Sequence, residues 1–133
     1  MKKHGILHAQ LSGLIAALGH KDLFMIGDAG MPIPPGVTVV DLALCGGFQT
    51  FCQVLDAGLE DTEIEFYTLV EEIKAKNPKL LDYIEGKMQH TPGEFIEHTA
   101  LKEMSAQVRF AIRTGEFTPY PNVILRAGVA FPA

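Results

Sequence analysis

The chain has 133 residues, 47% of them apolar and 20% charged, which is long enough for one domain with its own core and too apolar for disorder. A formal net charge of −5, with no basic cluster beyond Lys2-Lys3, argues against a nucleic-acid partner. No apolar run approaches the roughly 18 residues of a membrane span, and the amphipathic start is unlike a secretory leader, so a cytoplasmic protein without membrane contact is expected, with Cys45 and Cys52 reduced and half-buried.

Ile6, Leu7, Leu11, Leu14, Ile15 and Leu18 recur at helical spacing, and Gly19 follows as a helix-closing residue. His20 comes next. Imidazole exchanges protons near neutral pH, and a helix end favours its charged form, which makes His20 a candidate acid/base group. The plain alternative is a polar residue facing solvent. The run LFMIG (23–27) predicts a buried strand with Asp28 at its carboxyl end, where open α/β sheets bind ligands. A carboxylate there can accept two sugar hydroxyls or orient an imidazole; it can also simply cap a loop.

AGMPIPPG (29–36) predicts a stiff loop, and VTVVDLAL (37–44) a second strand broken by Gly46-Gly47. Residues 48–58 read as a helix closed by Gly58, and 63–72 contain a third strand. A helix over 78–87 begins with Pro78, and 94–99 is a fourth strand. A short helix follows, with Thr99 placed to cap it. His98 ends that fourth strand, and Lys102, four residues on, projects near the same helix end. Against a binding role stand a surface histidine and a solvated lysine. His4, His8 and His90 read as surface or subunit-contact residues.

The last strands, 108–114 and 122–131, flank RTGEFTPYPN (113–122), too long and too stiff for a simple hairpin turn. Thr118 and Tyr120 each precede a proline, which favours extended backbone, and Pro119 and Pro121 have fixed φ. Tyr120 and Asn122 therefore lose little freedom on meeting a ligand. A flat phenol and an amide with donors and an acceptor suit a sugar. The competing reading is a structural crossover with Tyr120 packed inward. Helices alternating with strands define an α/β class: a three-layer single domain over 1–133, with a mostly parallel or mixed sheet flanked by helices. Dinucleotide, P-loop, H-E-x-x-H and C-x-x-C motifs are missing, and His20, Asp28 and His98, spaced 8 and 70 residues apart, match no metal signature. Neither a cofactor nor a metal is expected.

The segments MKKHGIL, LGHKD, GDAGMPIP, EEIKAKNP, EHTALK and RTGEFTPYPNVILRAGV, spread over nearly the whole chain, resemble the ribose pyranase/fucose mutarotase family. The proline-rich loop after Asp28 and the TPY-x-N arrangement resemble its ribose branch. The resemblance implies a cofactor-free isomerase that exchanges six- and five-membered ring forms of D-ribose, supplying ribose for phosphorylation. It implies a homo-oligomer, a decamer of two stacked pentameric rings, with sites shared between subunits. It also implies that His20 donates a proton and that Asp28, His98 and Tyr120 through Asn122 contact the sugar, with Lys102 nearby. Two departures stand out: Pro121 replaces a small residue and removes an amide donor, and the tail adds Pro132-Ala133. The alternatives are a mutarotase for another sugar such as fucose, a non-catalytic sugar-binding accessory of a transporter, and a metal-dependent enzyme.

Overall fold

The structure is a computed structural model that describes residues 1–132. Its strands are β1 (Leu23–Gly27), β2 (Thr38–Asp41), β3 (Ile64–Val70), β4 (Gly93–Ile96), β5 (Phe110–Arg113) and β6 (Val123–Ala127). They form one sheet in the order β2-β5-β1-β6-β3-β4. β6 runs antiparallel to both its neighbours, β1 and β3, and the other three neighbouring pairs are parallel. The sheet is thus mixed, with helices flanking it, as the alternating pattern predicts.

This directionality has a positional consequence. The carboxyl ends of β1 to β5 and the amino end of β6 share one edge of the sheet. The amino ends of β1 and β3 and the carboxyl end of β6 share the other. β1 is apolar along its whole length, and β5 and β6 apart from one arginine each, because both faces of the sheet centre are covered. Phe24 and Phe110 stack with ring centroids 5.0 Å apart, and Ile26, Ile112, Ile124 and Leu125 close the same core.

The helices are α1 (Ala9–Ala16), α2 (Phe51–Asp61), α3 (Ile73–Lys76), α4 (Pro78–Lys87) and α5 (His98–Met104). α2 starts at a capping box, in which Thr50 accepts from the Gln53 amide and Gln53 accepts from the Thr50 amide. It packs on the sheet through Phe51, Val54 and Leu55. Full burial of a Phe or Leu side chain contributes roughly 1.5–3 kcal/mol.

Several expectations shift. α1 stops at Ala16, so Gly19 closes no helix, and the residue with positive φ in the turn is Lys21 (φ 74). Gly58 lies inside α2, on its buried face, because burial beside Val54 and Leu55 outweighs the local glycine signal. Thr99 lies within α5, whose preceding residue, Glu97, makes no side-chain cap. The short α3 falls between the predicted third strand and the predicted helix over 78–87, where no element was expected. Cys45 is exposed rather than half-buried, since it opens the tight Cys45–Phe48 turn; Cys52 is half-buried as expected. His8 has a local task, its Nδ1 accepting the Leu11 amide at 3.1 Å as the cap of α1. Of the two tail residues, Ala133 lies outside the described residues. Among the described residues no helix is long and apolar enough to cross a membrane.

Candidate active site

The carboxyl edge of the sheet gathers most of the candidate residues. Asp28 leaves β1 there and Asn122 leads into β6 beside it, because those strands are antiparallel neighbours. The Asn122 side chain is almost fully buried. Its Oδ1 accepts the Asp28 amide at 3.0 Å, and its Nδ2 donates to Asp28 Oδ2 at 3.2 Å. Asp28 Oδ1 accepts the Gly30 amide at 2.8 Å. This approach needs Gly27: a Cβ there would sit 3.0 Å from both Asn122 Oδ1 and Met31 Cβ.

The Asn122 amide donates to the Tyr120 carbonyl at 2.8 Å, closing a three-residue turn centred on Pro121. A proline suits that centre, since its φ is fixed and the turn asks for no donor from it. Tyr120 departs from the expectation of extended backbone: its φ is 65, in the left-handed region. Such a conformation costs a bulky residue about 1–3 kcal/mol and persists only where neighbours hold it. Here the turn holds it on one side. On the other, its ring meets the His98 ring edge to face, with centroids 5.3 Å apart. Tyr120 therefore packs against another candidate rather than into the core alone.

His98 is the first residue of α5, and its amide donates to both oxygens of Glu72 at 3.2 Å. Lys102 is exposed one turn further along α5. The stiff segment is braced from outside. Asn77 Nδ2 donates to Thr118 Oγ1 at 2.9 Å and to the Pro119 carbonyl at 3.0 Å. The Thr118 hydroxyl donates to Glu116 Oε2 at 2.8 Å, while Glu116 Oε1 accepts the first amide of α2, from Phe51. Arg113 Nε donates to the Ala29 carbonyl at 3.0 Å and its Nη1 pairs with Asp41. A cleft of about 490 Å³ opens beside Asp28, Gly30, Arg113, Glu116 and Pro119. Of the candidate site residues read from the sequence it touches only Asp28, so the hydrogen-bond geometry defines the site better than this cavity does.

His20 stands apart from this group. It precedes β1 while Asp28 follows it, and a five-residue strand spans roughly 13 Å between its end residues. At its own edge His20 Nε2 lies 2.9 Å from Glu65 Oε2, and Glu65 Oε1 accepts from Arg126 Nε at 2.9 Å. The hydrogen bond with His20, chiefly, holds the Glu65 carboxyl below the usual carboxylate range; the charges of His20 and Arg126 add to it, against a partial desolvation. In one chain the imidazole is thus partnered by Glu65 and not by Asp28. Among the described residues, no three His, Cys, Asp or Glu side chains gather into a metal-holding group.

Sequence reasoning brought out none of Glu65, Arg126, Asn77, Glu116 or Glu72. For Glu65 a signal existed, a carboxylate inside the apolar strand EIEFYTLV. The others lie in segments whose pairing depends on distant parts of the chain.

The arrangement is that of an α/β protein with a preorganised polar cluster at one sheet edge and an imidazole–carboxylate pair at the other. The chain belongs to the RbsD / FucU transport protein family, whose model matches residues 1–130. It is 47% identical over 131 residues to a D-ribose pyranase of Geobacillus thermodenitrificans, covering 98% of this chain and 99% of that protein. A D-ribose pyranase of Lactiplantibacillus plantarum is 44% identical over 131 residues, covering 98% of this chain and all (100%) of that one. Among solved structures, Bacillus subtilis RbsD complexed with D-ribose matches with a TM-score of 0.96 at 40% identity, over 98% of this chain and 100% of that one. The fucose mutarotase of Streptococcus pneumoniae, in complex with L-fucose, shares the fold, with a TM-score of 0.79 at 20% identity over 95% of both chains.

Proposed function

We propose that this protein is a sugar isomerase, a D-ribose pyranase that interconverts the pyranose and furanose forms of D-ribose and supplies ribose for phosphorylation. The observation that carries the reading is the likeness, over 98% of the chain, to RbsD complexed with D-ribose, together with full-length relatives named D-ribose pyranase. Ring opening moves one proton off the anomeric hydroxyl and one onto the ring oxygen, leaving an open-chain aldehyde. Reclosure through the 4-hydroxyl gives the furanose, with no net change in protons or electrons. In this reading His20 donates to the ring oxygen. Asp28, held by Asn122, grips a hydroxyl. Tyr120, Pro121 and Asn122 form one wall of the site, and His98 and Lys102 bind hydroxyls on the other edge.

His20 and Asp28 sit at opposite edges of the sheet, so the reading requires that His20 of one copy reach the Asp28 cluster of its neighbour. Exposed Leu44, Phe48 and Phe117 lie near the Asp28 edge, where Phe117 covers Gly46, and they suit burial against a second copy. The proposed assembly is a homo-oligomer, two stacked pentameric rings making a decamer, in the cytoplasm. Light scattering on the purified protein measures it; a monomer that exchanges ribose ring forms at full rate removes the shared site.

Saturation-transfer NMR on D-ribose is the deciding test. Faster exchange between pyranose and furanose signals is expected with protein than without it. The family's description as transport proteins favours one other reading, a sugar-binding accessory. Ribose binding with exchange at the background rate establishes that reading instead. Faster exchange on fucose than on ribose shifts the substrate.

A further inference from the structure

We infer that Glu65 is a positioning residue that holds His20 in the tautomer with the proton on Nε2, so that Nδ1 is the nitrogen that exchanges protons with the sugar. The inference rests on the proposed ring-opening role of His20. Three separate observations support it.

The first is the contact itself: Nε2 faces Glu65 Oε2 at 2.9 Å. A carboxylate only accepts, so Nε2 carries hydrogen in both the neutral and the charged ring. That leaves Nδ1 as the nitrogen whose proton comes and goes. The second is the backbone under Glu65. The β3–β6 register jumps between Ile64, opposite Ala127, and Phe66, opposite Arg126. Glu65 is the extra residue, and a bulge of this kind re-aims a side chain. The third is the far side of the carboxylate, where Arg126 Nε donates to Oε1 at 2.9 Å with its guanidinium 4.7 Å over the Phe66 ring. Each oxygen thus has its own donor, and the carboxylate cannot swing away without losing one. The turn that carries His20 is equally tied down, since the Lys21 amide donates to the Ala127 carbonyl at 2.9 Å and the Ala127 amide to the Asp22 carbonyl at 2.8 Å.

The proton ledger closes. Charged His20 gives the Nδ1 proton to the ring oxygen as the C1–O5 bond breaks, and the anomeric hydroxyl loses its own proton to water. On reclosure O4 bonds C1, its proton returns to Nδ1, and the carbonyl oxygen takes one back from water. Glu65 stays ionised throughout and changes partner at no point.

Two measurements test this. Nitrogen-15 NMR of histidine-labelled protein, with His20→Ala to identify the signals, is expected to show a protected Nε2–H and an unprotonated Nδ1 on neutral His20. A neutral ring with its proton on Nδ1 overturns the inference. That result needs no sugar, so it stands or falls separately from the activity: a wild-type protein that fails to exchange ribose ring forms sinks the function while the tautomer is still read. In the second, Glu65→Ala is expected to slow ring exchange roughly tenfold to a hundredfold, a part of the 10²–10⁴ that a placed acid/base group supplies. Ribose affinity is expected to stay within about threefold, since Glu65 touches no sugar in this reading. Glu65→Gln, which keeps one accepting oxygen, is expected to fall between the two. Exchange in Glu65→Ala at the wild-type rate, or a rate loss fully matched by lost affinity or lost thermal stability in both variants, overturns the positioning role.

Discussion

The two edges of the sheet are built on different physical terms. Around Asp28, Asn122 and Pro121 are buried and Asp28, His98 and Tyr120 half-buried, the aspartate is paired reciprocally with a neutral amide, and prolines remove backbone freedom. Asn122 satisfies the amide and carboxylate of Asp28 at once, and Tyr120 is held in a strained conformation by the turn and by His98. Around His20 the groups are ionic and partly exposed, with the imidazole side chain 48% accessible and its partner Glu65 28%. A rigid, hydrogen-bonded cluster suits recognition, because little ordering remains to be done when a sugar arrives. An exposed imidazole on an ionic mount suits proton transfer, because it must gain and lose charge without disturbing a core. The contrast fits the division of labour proposed above, in which the two edges come together from neighbouring copies.

The largest expected effect breaks the His20 edge only. His20→Ala should lower ribose ring exchange by about 10²–10⁴-fold, while ribose binding, measured by calorimetry, stays within roughly tenfold. Wild-type exchange in that variant removes His20 from its role. Next comes a mixing experiment. His20→Ala and Asp28→Asn proteins, each inactive alone, are expected to recover roughly a quarter of wild-type activity after co-refolding, because random neighbours rebuild that share of shared sites. No recovery in verified mixed oligomers places both residues in one chain's site.

Smaller effects separate the edges by stability. Asn122→Ala leaves the Asp28 amide without its acceptor, and chemical denaturation is expected to show a loss of roughly 1–3 kcal/mol along with weaker ribose binding. Equal loss from Glu65→Gln contradicts the contrast, since exposed ion pairs contribute little. The smallest effect is one of pH. The carboxyl of Glu65 is held below its ordinary value of 4.5 in the folded chain. Its contribution is therefore complete above about 4.5 and fades as pH falls through the lower folded value. The stability difference between wild type and Glu65→Gln should narrow in that acid window and stay constant above it.

Much of this was legible in the residues. Strand and helix periods, the prolines bracketing Tyr120 and the placement of Asp28 after an apolar strand are all local patterns, and they outline the Asp28 edge. Family motifs spread along the chain carried the rest of the functional expectation. Four local signals misled: Gly19 and Gly58 as helix ends, Thr99 as a cap, and Tyr120 as extended. In each, packing or a turn outweighed the residue's own preference, as tertiary context commonly does.

What local patterns cannot hold is direction. A strand's apolar period is the same whether it runs up or down the sheet, yet β6 running against its neighbours brings Asn122 beside Asp28 and Arg126 beside Glu65. The bulge at Glu65 likewise has no mark in composition, because it arises from how β3 and β6 settle their register. Pairing between segments 94 residues apart, as for Asp28 and Asn122, is set by long-range burial and strand order. Residue types and spacing set which chemical groups this chain carries; the antiparallel insertion of one strand decides which of them meet, and it leaves His20 beside Glu65, at the sheet edge opposite Asp28.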